Sequence, residues 1–133
     1  MLHLLTSGES HGKYLTAILE GIPAGLGLRE EDINRQLARR QYSFGRGERL
    51  QYIEKDTARI LSGVRWGETL GSPLSLSVEN RDWENWEKIM SQREEDRQDK
   101  FRLVRPRPGH ADLAGVLKFD RQDTRDILER ASA

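Results

Sequence analysis

The sequence predicts an α/β fold, in which short strands and amphipathic helices follow one another along a chain of 133 residues. Two observations lead to this fold class. In SPLSLSVEN, apolar residues alternate with polar ones, which is typical of a strand with one buried face. In REEDINRQLARRQ, acids crowd the first turn and bases the last, as the helix dipole favours. The length is that of one ordinary domain.

In the N-terminal half, the apolar stretch MLHLLT predicts a first strand that runs into a glycine-bearing loop. YLTAILEGI follows with apolar residues at helical spacing, which predicts a helix, although its β-branched residues leave a strand as the alternative. In the helix REEDINRQLARRQ, Ile33 and Leu37 mark the buried face. RLQYIEKDTARILSGV predicts a hairpin that is broken at Glu54–Asp56.

In the C-terminal half, SPLSLSVEN predicts a half-buried strand with Leu74, Leu76 and Val78 on one side. RDWENWEKIM predicts a short helix or an ordered loop with packed tryptophans. The charged stretch SQREEDRQDKFR predicts a solvated or mobile segment. VRPRPGH predicts an extended segment, and ADLAGVLKF a helix. DRQDTRDILERASA opens with a cap-like pair, Asp120 and Asp123, and predicts a helix to the last residue, which indicates a truncated chain.

The composition excludes several classes of function. Lysine plus arginine and aspartate plus glutamate both number 22, so the net charge of zero argues against general attraction to nucleic acids or membranes. The absence of cysteine excludes disulfides and thiolate zinc sites. No apolar run approaches the roughly 20 residues of a membrane span, and the start is not that of a signal peptide. The hydrophobic fraction of 35% predicts a small core, or apolar surface that is covered by other polypeptide.

Two loops, GESHG and PRPGHAD, each carry a histidine between residues that shape the backbone. Because histidine titrates near neutral pH, His11 and His110 are candidate proton donors. The alternative is that each histidine only caps a turn by hydrogen bonding, and His3 is interpreted as structural. His110 and Asp112 are a weak signal for a metal, since no further ligands cluster with them, and no metal site is predicted.

Arginines accompany these loops. Arg40 falls beside the predicted buried stripe of its helix, where a guanidinium needs an anionic partner. Arg46 and Arg49 lie in the loop GRGER, and Arg107 precedes the second histidine. Guanidinium groups bind carboxylates and phosphates at two points, so this set would suit a small, multiply anionic ligand. The alternatives are a solvated basic surface, or a small anion- or RNA-binding module that uses the arginine-rich loops.

These motifs together resemble the N-terminal part of chorismate synthase. The matching stretches, in family order, are GESHG, EGIPAG, EEDINRQLARRQ, GRGER, LSGVRWGETLGSPLSL, ENRDW, RPRPGHADL and RDILERASA. The resemblance implies an α/β fold of the α+β type, with an antiparallel sheet and helices packed on it, as part of the family's β-α-β sandwich. It also implies that residues 1–133 are the truncated N-terminal portion of a single domain.

The family converts 5-enolpyruvylshikimate 3-phosphate to chorismate by 1,4-anti elimination of phosphate, a step toward the aromatic amino acids. The resemblance therefore implies a phosphate lyase that needs reduced FMN, with NADPH as flavin reductant in bifunctional members. It implies a cytoplasmic homotetramer for the full-length enzyme, without nucleic acid or membrane partners. Because later segments supply most of the flavin pocket in the family, this chain alone is expected to be inactive.

The resemblance also assigns roles to residues. His11 corresponds to the histidine that protonates the leaving phosphate, and His110 to the one that lies near the reduced flavin. The implied substrate-binding residues are Ser10, Arg40, Arg46, Arg49 and Arg107. The implied FMN residues are Arg130, Ala131 and Ser132, while Arg40 and Arg46 also correspond to positions assigned to NADP.

Overall fold

The computed structural model describes residues 1–41 and 56–131. The chain divides into two compact units. The sheet unit comprises residues 1–7 and 14–81, and the helical unit comprises residues 8–13 and 82–133. Within the described ranges, none of the helices has the length and apolar character that crossing a membrane requires.

Four antiparallel strands form the sheet of the first unit, in the order β1-β2-β6-β3. A separate two-stranded ribbon joins β4 to β5. The antiparallel pairing agrees with the predicted fold class. The strands are β1 His3–Ser7, β2 Tyr14–Glu20, β3 Ala58–Ser62, β4 Val64–Arg65, β5 Glu68–Thr69 and β6 Leu74–Glu79.

The segment predicted as a helix, YLTAILEGI, is instead the strand β2. Ile18 pairs with Leu5 of β1 on one side and with Ser75 of β6 on the other. Pairing on both edges satisfies the backbone of β2, and its β-branched residues suit a pleated sheet better than a helix. The helical spacing of its apolar residues was therefore misleading, and the strand alternative is confirmed.

The helix predicted for REEDINRQLARRQ is confirmed as α1, Glu30–Gln41. The Asn34 side chain fixes it to β3, because its Oδ1 accepts from the Ala58 N–H at 2.7 Å and its Nδ2 donates to the Ala58 carbonyl at 3.3 Å. Glu30 Oε1 also accepts from the Ile60 N–H at 2.9 Å. These contacts lie in the first turns. The prediction that Arg40 lies beside a buried stripe is wrong: Arg40 is exposed in the last turn, beyond the contact with β3.

The core of the sheet unit is small. Its buried apolar residues include Ala58 and Leu74, each 3% exposed. The strand β6 confirms the prediction for SPLSLSVEN, but its serine side is not solvated, since Ser77 is also buried in this central strand. At the edge strand β1, Leu4 and Leu5 are exposed. Within the described residues, both parts of the expectation stay open: the core is small, and apolar surface remains that other polypeptide could cover.

The helical unit contains three α-helices and two short 3₁₀ turns within its described part. The charged segment is mostly exposed, as predicted, and folds into those 3₁₀ turns. Residues 103–106 carry no helix or strand, which agrees with the extended segment that was predicted. The helices are α2 Trp83–Trp86, α3 Asp112–Phe119 and α4 Thr124–Ala131.

The predicted cap pair divides between two helices. Asp123 Oδ1 accepts from the Arg125 N–H, so it caps the first turn of α4, and it also accepts from the Leu103 N–H, both at 2.9 Å. Asp120 instead ends α3 in a left-handed conformation, with φ of 49°. The helix predicted for ADLAGVLKF is confirmed as α3, and its Leu113 and Leu117 are exposed.

Candidate active site

The loop that carries His11 is tightly folded. The Gly12 N–H donates to the Glu9 carbonyl at 3.2 Å, and the Ser10 N–H donates to the Glu129 carbonyl of α4 at 2.9 Å. A Cβ on Gly12 would lie 3.3 Å from the Cβ of Glu9 and 3.4 Å from its backbone nitrogen. A larger residue at position 12 would therefore open the turn that places His11.

A single carboxylate holds His11. The His11 Nδ1 lies 2.9 Å from Oε1 and 3.0 Å from Oε2 of Glu129, and the His11 backbone N–H donates to Oε2 at 2.8 Å. A carboxylate only accepts hydrogen bonds, so Nδ1 carries the hydrogen. The side chain of Glu129 is 3% exposed, whereas that of His11 is 33% exposed. Among the described residues, His11 Nε2 has no hydrogen-bond partner, so it can exchange a proton with a ligand.

Two further side chains complete this cluster. The Trp86 ring stacks on the His11 ring with centroids 3.6 Å apart and planes 22° apart. The Arg125 Nη1 donates to Glu129 Oε1 at 3.2 Å, and its Nε donates to the Phe101 carbonyl at 3.2 Å. The guanidinium thus compensates the charge of a buried carboxylate, which would otherwise be costly to bury.

The second histidine lies within a turn that an ion pair closes. Asp112, at the start of α3, is buried, and its carboxylate accepts from the Arg107 N–H, Nε and Nη2, each at 2.9 Å. The side-chain hydrogen bond from Arg107, followed by the backbone one, lowers the pKa of Asp112 from 3.8 to about 2. The hydrogen bond with Asp112 raises the pKa of Arg107. His110 is exposed beside this pair.

This ion pair limits what Arg107 can offer a ligand. Its Nε and Nη2 are directed at Asp112, and the side chain remains 41% exposed. The pairing also commits both Asp112 oxygens to Arg107. Within the described ranges, histidine, aspartate and glutamate form no group of three suited to holding a metal ion.

The structure brings some of the predicted site residues together. Ser10 and His11 contact α4 at Glu129, the residue before Arg130. Arg130 is exposed, with its guanidinium 4.1 Å over the Phe119 ring, and the adjacent Ala131 is the last residue of α4. Arg107 and His110 share the turn before α3, whereas Arg40 belongs to the other unit. Arg46, Arg49 and Ser132 lie outside the described residues.

Sequence reasoning did not identify Glu129, Trp86 or Arg125 as neighbours of His11. A partial signal existed, because Glu129 follows the apolar Ile127 and Leu128 and stands four residues after Arg125, within hydrogen-bond reach on a helix. The contact of Glu129 with His11 could not be found from such local spacing, since 118 residues separate the two.

Comparison with known proteins agrees with this fold. The family model described as chorismate synthase matches residues 2–133. Chorismate synthase of Pelobacter propionicus is 63% identical over all of this chain and 34% of its own length, and that of Aquifex aeolicus is 61% identical over 99% and 33%. A crystal structure of chorismate synthase matches with a TM-score of 0.67 and 48% identity, over 98% of this chain and 28% of the other. The chain thus spans about a third of the length of these relatives, and it belongs to the chorismate synthase family.

Proposed function

We propose that this chain, as part of a complete chorismate synthase, binds 5-enolpyruvylshikimate 3-phosphate and uses His11 as the acid in the 1,4-anti elimination that gives chorismate. The observation that carries this proposal is the setting of His11, whose Nδ1 is held by a buried carboxylate while Nε2 has no partner among the described residues. The family match over residues 2–133 supports the choice of this reaction for His11.

The role of His11 follows from the charge of the leaving group. In the elimination, the carbon–oxygen bond breaks with its electron pair on the leaving phosphate oxygen, and a ring hydrogen leaves as a proton to a base while its bonding electrons form the new double bond. A proton from His11 Nε2 to the leaving oxygen lowers this charge in the transition state. The ring then keeps its other hydrogen on Nδ1, in the hydrogen bond to Glu129. The donor is therefore the imidazolium, which carries a hydrogen on each ring nitrogen, and it acts as acid without changing its orientation.

The proposed arginines suit the charges of the substrate, which has two carboxylates and one phosphate. Arg46 and Arg49 are proposed to bind these groups at two points each. Arg40 is exposed and so is open to an anion, and Arg107 Nη1 makes no hydrogen bond within the described part of the chain.

The residues present also fit a flavin with a phosphate. Arg130 supplies an exposed guanidinium at the end of α4, and its two neighbours, Ala131 and Ser132, complete the proposed FMN turn. His110 is exposed and can approach a bound ring system. Reduced FMN supplies electron density for cleavage of the carbon–oxygen bond. NADPH, the cytoplasmic location and the homotetramer are further parts of this proposal.

A chimeric enzyme tests the proposal. The matching third of the Pelobacter propionicus enzyme would be replaced by this chain, and chorismate formation would be measured with reduced FMN. We expect the chimera to be active. His11→Ala should lower kcat on the order of 10²-fold or more, because a proton donor acts mainly in the transition state.

The matched control is His3→Ala, which changes an exposed histidine on the edge strand β1. It should leave kcat and KM within about twofold, since exposed substitutions away from a site have small effects. A folded chimera that forms no chorismate, or a His11→Ala variant with nearly normal kcat, would contradict the proposed function.

A further inference from the structure

We infer that Glu129 is the positioning residue of His11: it fixes the imidazole in the Nδ1–H tautomer and presents Nε2 to the ligand, while Trp86 fixes the plane of the ring. This inference rests on the proposed role of His11 as proton donor. It adds the two residues that determine which nitrogen of the His11 ring faces the ligand.

One carboxylate fixes both the loop and the ring. Glu129 Oε2 accepts from the His11 backbone N–H at 2.8 Å, and the same carboxylate lies within 3.0 Å of Nδ1 through both oxygens. The Glu129 carbonyl also accepts from the Ser10 N–H at 2.9 Å. Because one residue holds both the backbone and the ring, the loop and the imidazole are fixed relative to the same carboxylate.

The carboxylate is itself held in place. Glu129 lies on a helix and its side chain is 3% exposed, so water does not compete for its oxygens. Arg125, 18% exposed and one helical turn earlier, donates to Oε1. A carboxylate oxygen beside Nδ1 accepts a hydrogen bond, which requires that the hydrogen be on that nitrogen.

Trp86 restricts the remaining freedom of the ring, which is rotation of its plane. The stacked arrangement, 3.6 Å between centroids, allows His11 little tilt. The indole is held in turn, since its Nε1–H donates to Asp82 Oδ2 at 2.9 Å. The ring is thus constrained at its edge by Glu129 and on its face by Trp86.

The first test reads the tautomer directly. Long-range proton–nitrogen correlation spectra would be recorded on the chain labelled with ¹⁵N-histidine, at a pH where the rings are neutral. The chain has three histidines, and His11→Gln assigns the signal of interest. We expect the Nδ1–H tautomer at His11, and its loss in Glu129→Leu, which removes the acceptor but keeps similar volume.

Asp126→Asn is the matched control, because Asp126 lies on the same helix but is exposed and pairs with Arg121. This variant should leave the His11 tautomer unchanged. An Nε2–H tautomer in the unmodified chain, or the same Nδ1–H signal in Glu129→Leu, would overturn the inference.

The second test uses the chimeric enzyme, and it does not depend on the isolated chain giving resolved spectra. We expect Glu129→Leu to lower kcat by about 10- to 100-fold, as removal of a partner that orients a histidine typically does, with KM nearly unchanged. Glu129→Gln should retain more activity than Glu129→Leu, because its amide oxygen can still accept from Nδ1–H. Asp126→Asn should match the parent.

The outcomes separate the inference from the proposed function. Full kcat in Glu129→Leu together with an inactive His11→Ala would overturn the positioning role while leaving the proton donor intact. Full kcat in His11→Ala would overturn the proposed function, and the tautomer spectra would still decide whether Glu129 fixes the ring. A fall in kcat that Glu129→Gln does not relieve at all would count against the inference, since it would indicate lost structure and not a lost acceptor.

Discussion

Gly115 of α3 faces Ile127 of α4, and Gly115→Ala tests how tightly that packing places the site. A Cβ at this position would lie 3.2 Å from Cγ1 and Cδ1 of Ile127, and closer still to Cγ2. Ile127 is 4% exposed, so it has little room to move aside. Two residues further along α4 is Glu129, which holds His11.

The magnitude follows from two opposing effects. Alanine is favoured over glycine in a helix interior by up to about 1 kcal/mol. Forcing an extra methyl group into a packed contact costs about 1–3 kcal/mol. The second effect exceeds the first where the neighbour is buried, so we expect Gly115→Ala to lower the free energy of unfolding by roughly 1 kcal/mol. Urea denaturation followed by tryptophan fluorescence measures this change.

A double-mutant cycle supplies the control. In an Ile127→Ala background the clash is absent, so Gly115→Ala should become neutral or stabilising there, by up to about 1 kcal/mol. The reasoning would be refuted if Gly115→Ala stabilised the unmodified chain, or if its cost were the same in both backgrounds. The expected coupling would show that the contact with Ile127, and not a general effect on α3, limits residue 115 to glycine.

Three further predictions concern charge and the extent of the site. Because the pKa of Asp112 is lowered to about 2 from 3.8, its pairing with Arg107 stabilises the folded state above pH 3.8 and is lost as the pH falls toward 2; Asp112→Asn should flatten this acid dependence in urea denaturation. The isolated chain, which spans 34% of the length of its relative, should bind FMN weakly or not at all and form no chorismate. A flavin fluorescence titration and an assay under reducing conditions check this, and micromolar binding with turnover would contradict it. In the chimera, Arg46→Ala or Arg49→Ala should weaken substrate binding by roughly 1.5–3 kcal/mol. Lysine should restore binding only partly, since it lacks the two-point contact, and full restoration would mean that charge alone suffices.

The elements that the sequence predicted correctly are those with local signals. The helix α1 has its acids and bases at opposite ends, and the cap at Asp123 precedes its helix directly. The strand β2 was predicted as a helix because its apolar spacing fits both structures, and only pairing with β1 and β6 decides between them. The prediction that Arg40 lies beside a buried stripe was wrong for a related reason, since helical spacing does not reveal how far along the helix the stripe stays buried.

In the candidate site too, local motifs identified residues, whereas contacts between residues far apart in the sequence were missed. Both histidines could be selected from their glycine-bearing loops. The pair of Arg107 and Asp112 lies within five residues, yet its three hydrogen bonds depend on a turn that the sequence only outlines. The contact between His11 and Glu129 joins positions 118 residues apart, and no periodicity within either segment contains that information.

Both histidine loops contain glycine, and both are held in place by the same kind of contact. Each loop is fixed by a buried carboxylate on a helix, Glu129 on α4 and Asp112 on α3, and each carboxylate is paired with an arginine. Glycine lets the backbone turn, but it also raises the conformational entropy that folding must remove. Charge-assisted hydrogen bonds, which are stronger than neutral ones, offset that cost where apolar burial is scarce. A unit with a small core can therefore hold His11 in place, because ionic contacts at Glu129 add to the stacking of Trp86 on the ring.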